Sequence, residues 1–231
     1  MTLVLGLDCS GESYSVGLWS CSGVRLEVSG YQPRRALCEM SSAITHLLKT
    51  AGVRAQELDC VGVTSGPGSF TGVRLGVTVA RTVAMVAGCP ICPWDTLLVL
   101  AAQVLPPQSR GQVAVALDAR RREIYCGLFR SEPSGVAAVL QTGVRTPADY
   151  AERLSEFGTW HAAVGTGFVA YPELLAEQWP GPRLTSRRDS APRGLVIARL
   201  SADRPDLWCC AQEVVPAYHR RADIQVQPGL G

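Results

Sequence analysis

The chain has 231 residues, of which 47% are hydrophobic and 18% charged, with a formal net charge of +2. That balance excludes a disordered or strongly charged chain, and +2 is too small to advertise a nucleic-acid surface by itself, so any contact with RNA has to be local or shared. The length allows one large domain or two small lobes.

Met1 to Ser10 is apolar, but no Lys or Arg precedes it, and Asp8 interrupts the run that a signal peptide needs. The most apolar region, Val77 to Leu105, is broken by Arg81, Pro90, Pro93 and Asp95, which leaves no span of about 18 residues to cross a bilayer. Nine cysteines is an odd number, and Cys9, Cys60 and Cys126 sit in apolar runs where cysteine acts as a small buried hydrophobe. The expectation is a cytoplasmic protein in a reducing compartment, with no membrane partner.

In chain order, Leu3 to Asp8, Ser13 to Ser20 and Val24 to Tyr31 predict an antiparallel meander. Leu37, Met40, Ile44, Leu47, Leu48 and Ala51 recur at helical spacing, with Gly52 as a stop. Asp59 to Ser65 has a buried-strand pattern, Thr71 to Ala87 predicts a second helix ended by Gly88, and Asp95 to Leu105 a third. Pro106 to Gly111 has linker composition and sets the expected lobe boundary, with lobes at 1–105 and 106–231 and the last segment a candidate for returning to the first lobe. Beyond the linker the pattern starts again: Leu7-Asp8 recurs as Leu117-Asp118, and Gly17-Leu18-Trp19 as Gly127-Leu128-Phe129, at one constant offset. Thr146-Pro147 then caps a helix to about Phe157, and His161 to Gly165 reads as a strand. Gly194 to Leu200 and Glu213 to Arg221 read as helical or extended. The expected fold class is therefore α/β in two lobes, a plan that resembles the actin-like (ASKHA, ribonuclease H-like) architecture with a repeated lobe. Each lobe would deliver an aspartate, Asp8 or Asp118, to a central cleft.

Gly66-Pro67-Gly68-Ser69-Phe70-Thr71-Gly72 joins a buried strand to a helix. Its glycines permit a tight turn, and Ser69 or Thr71 can cap the helix, so the segment is either an anion cradle or a turn that lets the helix pack close to the sheet. Lys49, the only lysine, follows His46-Leu47-Leu48 rather than a glycine loop, so there is no Walker P-loop. His46, His161 and His219 each lack a second histidine at helical spacing, and no metal site is expected. Cys89-Pro90-Ile91-Cys92 has redox spacing, yet it follows a helix instead of opening one.

Gly66 to Gly76, with Leu5-Gly6-Leu7-Asp8-Cys9-Ser10 and Ala116-Leu117-Asp118-Ala119-Arg120-Arg121-Arg122-Glu123-Ile124-Tyr125, resembles the bacterial TsaB (YeaZ) family of tRNA threonylcarbamoyladenosine biosynthesis proteins. The resemblance implies a non-catalytic paralogue of the glycoprotease-like subunit TsaD, working with the ATPase TsaE to place threonylcarbamoyl on the adenosine next to the anticodon of tRNA. It also implies that helices 37–51 and 71–87 meet the partner. Leu37, Met40, Ile44, Leu47, Leu48, Val73, Val77 and Ala80 are the candidate contacts. A homodimer through the same helices is left open.

On this reading Gly66, Gly68, Ser69, Phe70, Thr71 and Gly72 are a signature turn, and Asp8 and Asp118 are residual carboxylates. The chain would have no cofactor of its own, and a nucleotide would bind only at the interface of the complex. Arg34-Arg35, Arg120-Arg121-Arg122, Arg187-Arg188 and Arg220-Arg221 are candidate phosphate contacts. Two other readings stay open. One is an actin-like phospho- or carbamoyl-transferase active on its own through Asp8 and Asp118. The other is an oxidoreductase using Cys89.

Overall fold

The structure is a computed structural model and describes residues 2–31, 35–105, 111–133, 135–172, 181–186 and 188–217. Arg34, the linker residues Pro106 to Arg110, Arg187 and the terminal run Tyr218 to Arg221 lie outside the described residues.

The first lobe is built on β1 (Leu3–Asp8), β2 (Tyr14–Ser20), β3 (Arg25–Gly30), β4 (Cys60–Gly66) and β5 (Ile91–Asp95), in the order β3-β2-β1-β4-β5. The second is built on β6 (Gln112–Arg120), β7 (Glu123–Glu132), β8 (Gly135–Arg145), β9 (Ala162–Val164) and β10 (Arg183–Leu184), in the order β10-β9-β6-β7-β8. Read from opposite ends these are the same topology: two antiparallel hairpin pairings, then two parallel pairings. The repeat seen in the sequence is thus a repeated lobe, and the fold is the two-lobed actin-like one.

Helices α1 (Ala36–Ala51) and α2 (Phe70–Ala87) lie on one face of the first sheet, and their ends follow from local chemistry. Gly52 and Gly88 adopt the left-handed conformation (φ 68° and 71°) that closes each last turn. Ser69 accepts the Gly72 N–H at the start of α2, Asp95 accepts that of Leu98 at the start of α3 (Thr96–Val104), and Thr146 accepts that of Asp149 at the start of α4 (Pro147–Glu156). Helix α4 is pinned by Tyr150, which is fully buried and whose hydroxyl donates to the Gly127 carbonyl at 2.7 Å. Between the sheets, α3 contributes Val99 and Ala102 to the first lobe's core and Leu97, Leu100 and Ala101 to the second's.

The outer face of the first sheet is closed by α6 (Gly194–Asp203), after the short helix α5 (Gly167–Ala170). Gly17, Gly6 and Gly62 stand in register across β2, β1 and β4 and make a groove without side chains. A Cβ at Gly17 would lie 2.1 Å from the Leu195 nitrogen, and one at Gly6 2.1 Å from the Gly194 carbonyl oxygen. The helix therefore approaches the sheet at backbone distance. Glu27 fixes its start, accepting the Leu195 N–H at 3.1 Å and pairing with Arg193 at 2.6 Å, a carboxylate at the positive end of a helix. Ser201 fixes its end, accepting the Trp94 indole N–H through its hydroxyl and that of Trp208 through its carbonyl, both at 2.8 Å.

Three strands escape the sequence patterns: β5, β8 and the two-residue β10, which lies in a stretch of loop composition rich in Pro, Ser and Arg. Pro90 and Pro93 argue against a strand, yet β5 forms because it is the edge of its sheet, where a missing N–H breaks no ladder. In β8 every residue is partly or fully exposed, so the alternation that marks a half-buried strand is absent. Glu213 to Ala217 is irregular. The expectation that no span is long and apolar enough to cross a membrane also needs correction. By length and composition alone Phe70–Ala87 qualifies, with mean hydropathy 1.3, but its Val73, Val77, Ala80 and Ala84 are buried in the first lobe's core.

Gly17→Ala should lower the unfolding free energy by about 3 kcal/mol, because the added methyl meets backbone that cannot move aside. Gly11→Ala, where a Cβ meets nothing within 4 Å, should stay within about 0.5 kcal/mol. Urea denaturation of both variants checks the pair.

Candidate functional site

Between the lobes lies a cleft of about 1500 Å³. One wall is the Ser10–Tyr14 turn and the Pro67–Arg74 segment, and the other is Leu117–Arg121 with Tyr125 and Thr166; the 188–193 stretch, tied to the first lobe through Arg193 and Glu27, lines it as well.

The signature turn sits in this wall, and its hydrogen bonds show what its glycines do. A Cβ at Gly72 would lie 2.1 Å from the Cys9 carbonyl oxygen, and one at Gly68 2.3 Å from that of Ser10. The Ser69 N–H donates to the Ser10 carbonyl at 2.7 Å, and the Gly72 N–H to the Ser69 hydroxyl at 3.4 Å. The turn is thus locked face to face with the end of β1, and two of the N–H groups that a phosphate cradle needs are already engaged. Its glycines serve close packing. Thr71 is exposed, as is Phe70, which keeps 54% of its surface open beside the Arg74 guanidinium, 4.2 Å from the ring centre.

The two aspartates end in different environments. Asp8 is buried beneath this junction and does not line the cleft. Its Oδ1 accepts the Ser10 N–H at 3.2 Å, the Ser10 hydroxyl at 2.7 Å and the Thr64 hydroxyl, whereas Oδ2 is buried with no partner. Burial outweighs these hydrogen bonds and raises the carboxyl from 3.8 to about 6. Asp118 does reach the cleft, but it turns back on its own hairpin: Oδ1 accepts the Arg120 N–H at 2.8 Å, and Oδ2 lies 3.6 Å from the Arg120 guanidinium. Its N–H donates to the Thr166 hydroxyl at 3.1 Å.

Of the candidate partner contacts, Met40, Ile44, Leu47, Val73, Val77 and Ala80 are buried in the first lobe's core, and Leu48 is half-buried. Leu37 is 52% exposed. The apolar spacing thus locates the inner face of each helix. The outer face carries Leu37, Ser41, Thr45 and Lys49 on α1, and Thr78, Thr82, Met85 and Val86 on α2. Ser41, Thr45 and Thr82 donate to the carbonyls of Leu37, Ser41 and Thr78, four residues back, so their hydroxyls are satisfied within the helix. Exposed Met85 and Val86, at 68% and 59%, escaped the sequence reading because they lie round the helix from the buried stripe of small residues Gly76, Ala80 and Ala84.

His161 is structural, its Nδ1 accepting the Gln112 N–H at 3.0 Å, and His46 is exposed, while His219 is outside the described residues. Among the described residues no group of His, Cys, Asp and Glu is placed to hold a metal ion. Cys89 and Cys92 are free thiols that burial pushes up to about 11, the opposite of a reactive thiolate.

Two lobes of one topology around a central cleft define the actin-like class, and the comparisons narrow it. A family model described as "TsaD: tRNA N6-adenosine threonylcarbamoyltransferase" matches residues 34–159. Curated relatives named tRNA threonylcarbamoyladenosine biosynthesis protein TsaB are 29% identical over 175 residues in Escherichia coli strain K12, covering 75% of each chain, and 31% identical over 153 residues in Bacillus subtilis strain 168, covering 66% of each. The solved structure of YeaZ from Pseudomonas aeruginosa has a TM-score of 0.79 at 26% identity, covering 94% of this chain and 100% of that one. The chain belongs to this family of tRNA threonylcarbamoyladenosine proteins, in its TsaB (YeaZ) branch. The ethanolamine utilization protein EutJ from Carboxydothermus hydrogenoformans, 11% identical with a TM-score of 0.50, covering 86% of this chain and 89% of that one, shares the fold alone.

The Asp8 carboxyl titrates higher in the folded chain than in the unfolded one, so its stabilising contribution is complete below about pH 4 and is lost as pH rises through about 6. Between those values stability should fall by an amount on the order of 3 kcal/mol, and Asp8→Asn should flatten that slope. Urea midpoints across this pH range compare the two.

Proposed function

We propose that the chain is a non-catalytic scaffold and activator. It pairs with a TsaD-type catalytic paralogue and a TsaE-type ATPase, so that threonylcarbamoyl is transferred to the adenosine next to the anticodon of tRNA. The observation that carries this reading is the outer face of α1 and α2. There, exposed Leu37, Met85 and Val86 accompany hydroxyl side chains already satisfied within their own helices. Such a face can meet another pair of helices without leaving the donors of these hydroxyls unpaired.

The placement of the aspartates supports the absence of catalysis by this chain. Asp8 is sealed under Ser10, and Asp118 is committed to its own hairpin, so the two carboxylates do not converge on one reacting group. A nucleotide would then be held at the interface with the paralogue and not by this chain alone.

Because Met40 and Ile44 are core residues, a charge placed there would unfold the lobe and leave the interface untested. The informative variants are Leu37→Glu and Met85→Glu. Each should leave stability within about 0.5 kcal/mol, while the double variant loses co-elution with the catalytic paralogue in size-exclusion chromatography. Unchanged co-elution would refute the interface. Turnover of ATP by the isolated chain, abolished by Asp8→Asn, would favour an independent transferase instead.

A further inference from the structure

We infer that the cleft between the lobes receives an unpaired RNA strand, with its phosphates on the arginines that line the cleft and a base against Phe70. The inference rests on the reading of this chain as part of a tRNA-modifying assembly and gives that assembly a contact from this subunit.

Charge is the first support. Arg74, Arg120, Arg121, Arg188 and Arg193 line the cleft against three carboxylates, Glu12, Glu27 and Asp118, so a chain of net charge +2 concentrates a comparable excess in one concavity. Two of the five are paired with carboxylates, Arg193 with Glu27 and Arg120 with Asp118. Several separate guanidinium groups along one cleft suit consecutive phosphodiesters better than one compact anion.

Aromatic surface is the second. Phe70 and Tyr31 line the same cleft and expose 54% and 46% of their area. Arginines interleaved with partly exposed rings are the chemistry that holds single strands, because every base has a face to stack. A paired duplex hides those faces.

The third is the hairpin between β6 and β7. Arg120, Arg121 and Arg122 all have positive φ (66°, 55° and 60°), a conformation that costs a non-glycine residue roughly 1–2 kcal/mol. Glycine or asparagine would fit this turn at lower cost, yet three guanidinium groups occupy it, and two of them line the cleft. The signature turn, by contrast, has already engaged two of its N–H groups, and Asp8 lies beneath the wall. The site therefore lacks what a magnesium triphosphate requires. A cleft of about 1500 Å³ also exceeds the range of roughly 300–1,000 Å³ usual for a small ligand.

The test titrates a fluorescein-labelled RNA stem-loop, and a fully paired duplex of equal length, with the full chain by fluorescence anisotropy at several salt concentrations. The stem-loop should bind more tightly than the duplex. Arg121→Ala and Arg188→Ala should each lower its affinity and reduce the salt slope by about one, and Phe70→Ala should weaken it about tenfold with little effect on the duplex. All three side chains are exposed, and urea melts confirm that the variants fold. No binding at low salt, equal binding of duplex and loop, wild-type affinity in all three variants, or displacement of the RNA by an equimolar amount of ATP would each overturn the inference. Co-elution with the catalytic paralogue is measured on the same preparations. Failure of RNA binding with co-elution intact removes this site alone, and failure of co-elution with loop binding intact removes the scaffold reading alone.

Discussion

The close approach of α6 to the row Gly17, Gly6, Gly62 is the contact on which the rest of the molecule depends. A β-sheet with two buried faces needs cover on both, and α1 with α2 supplies only one. The three glycines let a helix from the far end of the sequence settle at backbone distance on the other. Once there, it is held at its start by Glu27 and at its end through Ser201, Trp94 and Trp208. The segment leading into α6 is tied to α3 as well: the Gln103 side chain accepts the Arg193 N–H at 2.6 Å and donates to the Ala191 carbonyl at 3.2 Å. Since α3 packs on both sheets, the two lobe cores and the helix behind the first lobe form one connected structure.

The same arrangement separates the chain's two faces of interest. The turn after β4 is clamped to the end of β1, so α2 starts from a fixed point and its outer surface is set rigidly relative to the cleft wall. Phe70 and Arg74 in the first turns of α2 face the cleft, whereas Met85 and Val86 near its other end are exposed away from it. A partner on the outer helices and a strand in the cleft would therefore be read by the two ends of one helix.

Much of the architecture was legible in the residues. Helical spacing and glycine stops gave α1 and α2 to within a residue, and the recurrence of Leu-Asp and Gly-Leu-aromatic pairs gave the repeated lobe. What the sequence concealed has physical causes. Pro93 masked β5 because proline is tolerated only at an edge, and edge position is a tertiary property. Strand β8 shows no alternation because neither of its faces is fully covered. Apolar spacing identifies the face of a helix that turns inward, so Met40 and Ile44 marked the core and left the outer surface to be found by exposure. Asp8 and Asp118 occupy equivalent places in the repeat, but burial depends on what packs above each, and only the first is roofed by a neighbouring turn. The link from Glu27 to Arg193 spans 166 positions, and no local pattern announces it.

The glycine groove also has a consequence for synthesis. Domains tend to fold as they leave the ribosome, N-terminal portions first. Here the first lobe emerges as a sheet with one face bare along a strip of backbone, and its cover is translated only with residues 194–203. Until then that strip is open to any helix or strand that meets it, so the first lobe is the earliest to appear and among the last to be sealed.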